Sequence, residues 1–141
     1  MKPNNFFYVK CASDVNFLRS WMEFTTPYHH LTSREKDVAA RILEQYFKFL
    51  ENMPDLEPDV RRELLWSRTS RRDMMASLKM TQANFQMTLQ KLRKSGFLMN
   101  HDGDIAPHYI PHPVPRDNRL LLQVFFDWSS DTNPIKNAQP S

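Results

Sequence analysis

Residues 70–96, SRRDMMASLKMTQANFQMTLQKLRKSG, decide the fold. Ser70 with Asp73 three residues on makes a capping-box-like helix start, and Met74, Met75 and Leu78 follow as candidates for burial. Only about eight residues there have helical character before the pattern breaks. Lys79-Met80-Thr81 then forms a three-residue turn, and Thr81 caps a second helix. In that helix Phe85, Leu89 and Leu92 fall at i, i+4 and i+7, so they share one face. Gly96 ends it, because glycine tolerates the left-handed backbone of a helix stop. The spacing therefore predicts a short helix, a tight turn and a longer helix.

Upstream the pattern is also helical. Ser13-Asp14 opens a helix to about residue 24, with Phe17, Leu18, Trp21 and Met22 on its core face. Pro27 is expected to close it. Thr32 and Glu35 then form a capping box, and Val38, Ala39, Ile42, Leu43, Tyr46, Phe47 and Leu50 make an apolar stripe of helical period that runs to about residue 52. Pro54 and Pro58 interrupt the chain at an acidic loop. Pro58 is suited to the first position of a short helix carrying Val60, Leu64 and Leu65 inward and ending near Ser67. Phe6 to Lys10 is β-prone and reads as a strand or an arm.

Downstream of Gly96 the period changes. Phe97 to Asn100 reads as a strand, Asp102-Gly103 supplies a hairpin turn, and Ile105 starts the return. Pro107, Pro111, Pro113 and Pro115 limit pairing and suggest an extended edge path. Leu120 to Phe126 is the strongest strand signal, with Gln123 its one polar residue. Residues 129–141 are polar and read as a tail.

Composition removes several classes of function. A chain of 141 residues is one domain, and its 40% apolar and 12% aromatic content suffices for a core. Two glycines cannot build a phosphate-cradling loop or a nucleophile elbow. One cysteine, Cys11, excludes an internal disulfide and a cysteine-rich zinc site. No apolar run is long enough to span a bilayer, and MKPNNFFYVK lacks the apolar stretch of a signal peptide, so the protein is expected to stay where it is made. The net charge of +3 is mild, but its distribution is not: residues 61–94 hold nine basic and two acidic side chains, a local net of +7. The rest of the chain carries −4, much of it on Glu51, Asp55, Glu57 and Asp59.

Residues 70–110 resemble a winged helix-turn-helix, with the helix from Thr32 as the supporting first helix and Asp102-Gly103 at the tip of the wing. The resemblance implies a fold that is mainly α with a small β wing (α+β). It also implies that the second helix of the pair lies in the major groove of DNA while basic residues around it neutralise phosphates. The sequences around Ser13 to Trp21, Tyr28 to Ala40 and Pro107 to Pro111 look like those of small proteins from phages of Bacteroidales, including crAss-like phages, a likeness spanning most of residues 6–126. It implies a viral origin without naming a role. Gly103 to Pro111 is similar to winged helices of plasmid replication proteins, though without their glycine-rich wing.

A core on Phe85, Leu89 and Leu92 turns Ala83, Met87, Gln90 and Lys94 outward, flanked by Gln86 and Lys91. Gln86 and Gln90 are therefore placed near bases, since Gln can read adenine, and Arg71, Arg72, Lys79, Lys91, Arg93 and Lys94 are assigned to phosphate. Met87 is not a base-reading residue. It is assigned instead to a protein interface with Leu122, Val124, Phe126 and Trp128, since one small domain has too little surface to cover both faces of the 120–126 strand. His29, His30, His108 and His112 lack partners for a tetrahedral metal site and read as turn and surface histidines. The acidic loop lacks the spacing of a calcium-binding hand and reads as solvated. Nothing gathers Ser, His and Asp into a nucleophilic triad.

The sequence thus predicts an N-terminal arm and helix (1–31), a winged-helix domain (32–128) and a tail (129–141). The expected function is that of a non-enzymatic phage DNA-binding protein serving transcription, replication or packaging. The alternative is a structural subunit of the virion, a head-tail connector or ring-type component, that docks on protein. Either carries no cofactor or metal and no membrane segment. The expected partners are double-stranded DNA, other phage proteins and further copies of the chain, and the expected place is the host cytoplasm or the virion.

Overall fold

The computed structural model describes residues 14–99 and 103–111, with side chains placed from Phe17 onward. Its α-helices run α1 Asp14–Phe24, α2 Thr26–His29, α3 Ser33–Asn52, α4 Pro58–Leu65, α5 Arg68–Leu78 and α6 Gln82–Lys94, followed by a 3-10 turn at Pro107–Tyr109. The long helix α3 is the centre of the packing: α1, α4, α5 and α6 all lie against it. Its start follows from the sequence. The Thr32 hydroxyl accepts from the Glu35 N–H, and the Glu35 carboxylate accepts from the Thr32 N–H at 2.9 Å, which satisfies two donors that a helix end leaves unpaired.

The core joins Leu18 and Met22 of α1, Val38, Ala39, Ile42 and Leu43 of α3, Leu65, Met74, and Phe85, Leu89 and Leu92 of α6. Each such buried Leu, Ile or Phe side chain contributes roughly 1.5–3 kcal/mol. Gln45, Ser70 and Lys36 are paired inside, whereas the buried Arg61 Nε has no partner among the described residues. Gln45 of α3 donates to the Ser70 hydroxyl of α5 at 3.0 Å, and its carbonyl accepts from Arg41 at 2.9 Å. Glu23 of α1 holds the buried Lys36 at 2.9 Å and Arg19 at 2.6 Å, and Arg19 reaches Asp37 at 2.7 Å.

The expectation of a mainly α fold with a β wing is corrected: among the described residues the fold is all-α, with no strand. What stands at the wing position is one antiparallel bridge between Leu98 and Ile105, flanked by hydrogen bonds from Met99 N–H to Asp104 and from Ala106 N–H to Phe97 at 2.8 and 2.9 Å. Two causes stop it there. The Phe97 N–H, which would complete the pair with Ala106, is spent on the Leu92 carbonyl of α6 at 3.0 Å, and Pro107 opens the 3-10 turn, which buries Tyr109 beside Phe97 and His29 with ring centroids 5.7 and 5.8 Å apart. The other end is pulled down onto the helices, because Trp66 Nε1–H donates to the Gly103 carbonyl at 2.8 Å and Arg62 meets Asp104 at 3.1 Å. Gly103 has φ +74°, and a Cβ there would lie 3.0 Å from Trp66 Nε1. The hairpin is thus clamped against the body.

Smaller corrections concern single elements. Pro27 does not stop the chain but sits in the first turn of α2, where its missing N–H is harmless. The cap of α5 is Ser67, whose hydroxyl accepts from Ser70 N–H, and Ser70 is buried inside the helix. Val60, expected inside, is 41% exposed. The proline-rich stretch is not an extended edge as far as Pro111, which is itself buried. The segments 6–10, 120–126 and 129–141 fall outside the described residues, as do the Ser13 cap, Cys11, His112 and the hairpin tip.

Candidate functional site

The turn between α5 and α6 is built by two hydrogen bonds. Lys79 N–H donates to Ala76 at 3.2 Å and Met80 N–H to Met75 at 3.0 Å, the arrangement that closes many helices around one left-handed residue. That residue is Lys79, at φ +55°. Glycine is favoured there, so the lysine carries a local strain of about 1–2 kcal/mol. Arg34 from the start of α3 donates to the Leu78 carbonyl and braces the same turn. Thr81 then caps α6 by accepting from Asn84 N–H at 3.2 Å.

α6 is oriented as its apolar spacing predicts. Phe85, Leu89 and Leu92 are fully buried, whereas Ala83, Met87, Gln90 and Lys94 face solvent, Met87 at 59% exposure. Gln86 is half-buried and Lys91 exposed at its margins. No acidic residue occurs in α6. The expected cations differ in how they are held. Arg72, Lys79 and Lys94 are exposed and meet no counter-ion among the described residues. Lys91 Nζ lies 3.5 Å from Glu35 Oε2. Arg71 is half-buried, donating to the Trp66 carbonyl at 3.0 Å with its guanidinium 5.5 Å above the Trp66 ring, so it holds the joint between α4 and α5. Arg93 lies beside Gly96, Leu98 and His108 in a shallow hollow at the end of α6.

The structure adds residues that the spacing analysis passed over. With α5 beginning at Arg68 rather than Ser70, Arg68 and Arg72 stand one turn apart on the same exposed stripe. Gln82 and Asn84 occupy the exposed first turn of α6. The Ser67 hydroxyl, three residues ahead of Ser70, was the signal for the first. Of the expected interface residues, Met87 is placed here, and Leu122, Val124, Phe126 and Trp128 fall outside the described residues.

Other chemistry does not assemble. Among the described residues no group of three or more His, Cys, Asp and Glu side chains is placed to hold a metal. Glu51, Asp55, Glu57 and Asp59 are exposed, with Asp59 lying 3.3 Å from Arg62. His29, expected at the surface, is instead 4% exposed: its Nε2–H donates to the Met22 carbonyl at 2.9 Å and its Nδ1 accepts from Leu31 N–H at 3.0 Å. Burial lowers its pKa, and these two bonds fit the neutral ring. No described helix is long and apolar enough to cross a membrane.

Comparison with family models, with curated proteins and with solved structures gives no match.

Proposed function

We propose that the protein binds duplex DNA without catalysing a reaction, laying α6 in the major groove and meeting phosphates with the cations of α5, the turn and the end of α6. One observation carries this reading: α6 is anchored by three buried residues and turns outward an acid-free face beside Arg72, Lys79 and Lys94, which no carboxylate among the described residues neutralises. Such charges gain most from an anionic partner, because phosphate contacts release condensed counterions. The strain kept at Lys79 agrees with a charge retained for a use other than folding. The likeness to small phage proteins implies a viral origin and names no role; within the DNA-binding reading, transcription, replication or packaging of a phage genome are the roles proposed.

A fluorescence anisotropy titration of a labelled duplex across salt concentrations tests this. Replacing Arg72, Lys79 and Lys94 by Ala is expected to weaken binding and to flatten the dependence of log K on log salt by about 0.9 for each phosphate no longer neutralised. An unchanged slope in the triple variant, or no binding at low salt, contradicts it. Met87 favours the second reading, a subunit that docks on protein through this helix; in that case Met87→Glu blocks assembly and the cation variant leaves assembly intact.

A further inference from the structure

We propose that α6 reads A·T base pairs, and that it does so through two parallel rows of side chains; the proposal rests on the DNA-binding reading above. Gln82, Gln86 and Gln90 recur every four residues, so they climb the helix as one row that ends in Lys94. Ala83 and Met87 form the adjacent row, which ends in Lys91. Gln82 and Gln90 are exposed and Gln86 is half-buried, and no amide of the three is tied to another described residue.

The chemistry of the two rows matches one base pair. A primary amide offers a donor and an acceptor side by side, which complements the N7 acceptor and N6 amino group of adenine. Guanine presents two acceptors, O6 and N7, which call for Arg or Lys. Residues 82–90 contain neither. Thymine adds a C5-methyl group to the major groove, and Ala83 and Met87 supply apolar contact for it next to the amides. Steps of four residues advance about 6 Å along a helix, against about 3.4 Å per base step, so successive amides address bases roughly two steps apart. Three amides then span about five base pairs. The lysines at the ends of both rows lie where the helix leaves the bases, in position for phosphate.

Anisotropy titrations of the full chain at one salt concentration, with duplexes of equal length, test this. One duplex carries A·T pairs at alternate steps, one is wholly G·C, and one replaces each adenine of the first by 7-deazaadenine, which removes N7 while keeping pairing and the minor groove. The A·T duplex is expected to bind about tenfold or more tightly than the G·C duplex. The 7-deaza duplex should fall to the G·C level, and Gln86→Ala with Gln90→Ala should bind the A·T and G·C duplexes alike. Equal binding of A·T and G·C by the native chain overturns the proposal and leaves DNA binding standing. A preference that survives 7-deaza substitution also overturns it, assigning selectivity to groove shape. Absence of binding to every duplex at low salt overturns both readings.

Discussion

Lys91 on α6 and Glu35 at the start of α3 form an ion pair of 3.5 Å, and the same carboxylate closes the α3 capping box by accepting from Thr32 N–H at 2.9 Å. Burial pulls the Glu35 carboxyl upward, but the Thr32 hydrogen bonds and the Lys91 ammonium outweigh it, leaving the pKa below its ordinary value. Scaffold and candidate interface therefore share one charge. Glu35→Gln keeps an oxygen for the Thr32 N–H and releases Lys91. It is expected to lose about 0.3–1 kcal/mol of helix-terminus stabilisation. DNA affinity should rise and the salt slope steepen by up to about 0.9. Parallel urea melts and salt-dependent titrations check the two signs.

Lys79 supplies the opposite trade. Lys79→Gly relieves about 1–2 kcal/mol of left-handed strain and costs about 0.5–1 kcal/mol in chain entropy. The variant should be more stable by about 0.5–1 kcal/mol and bind DNA more weakly. Thermal melts showing lower stability would mean that the lysine side chain packs usefully at the turn.

The orientation of α6 is open to a direct contrast. Phe85→Ala and Leu89→Ala each leave a cavity and should cost about 2–5 kcal/mol, whereas Met87→Ala, at 59% exposure, should stay within about 0.5 kcal/mol of the native chain. Denaturant melts in which Met87→Ala matches Phe85→Ala would place Met87 in the core.

The elements that were legible in the sequence are those whose signal is local. Thr32 with Glu35, the apolar stripe of α3, and Phe85, Leu89 and Leu92 each declare themselves within two turns, and their helices stand where expected. What was not legible depends on distant partners. The Asp102-Gly103 turn and the apolar residues beside it have the composition of a wing, but Trp66 and Arg62, far away in the chain, clamp the hairpin, and the end of α6 takes the Phe97 N–H while Pro107 opens a 3-10 turn. Ser70 looks like a cap because Gln45, its partner in the interior, lies 25 positions earlier. The outward face of α6 followed from period alone, whereas the capture of Arg71 by Trp66 and of Lys91 by Glu35 did not.

His29 gives the fold a dependence on pH. Burial holds its pKa down, so below the ordinary imidazole value of about 6.5 the unfolded chain takes up a proton that the folded chain resists. Its contribution is fully present above that pH and is lost as pH falls through the depressed folded value. Urea melts at pH 7.5 and 5.5 should show lower stability at the acidic end, and His29→Gln should show a smaller difference between the two. Glu23, lowered by its hydrogen bond from Lys36 and by Arg19, and Glu35 withdraw their contributions only at more acidic pH, below the ordinary carboxylate range.

The most direct test of DNA binding through α5, the turn and α6 is amide chemical-shift mapping of the ¹⁵N-labelled chain titrated with a short duplex. The account predicts that the largest shifts fall between Arg68 and Lys94, concentrated on Lys79, the exposed residues of α6 and the Arg68–Arg72 stripe, with α1 and the acidic loop near Asp55 and Glu57 little changed. Shifts centred on α1 or on the loop between α3 and α4, or none in α6 at saturating duplex, would contradict it.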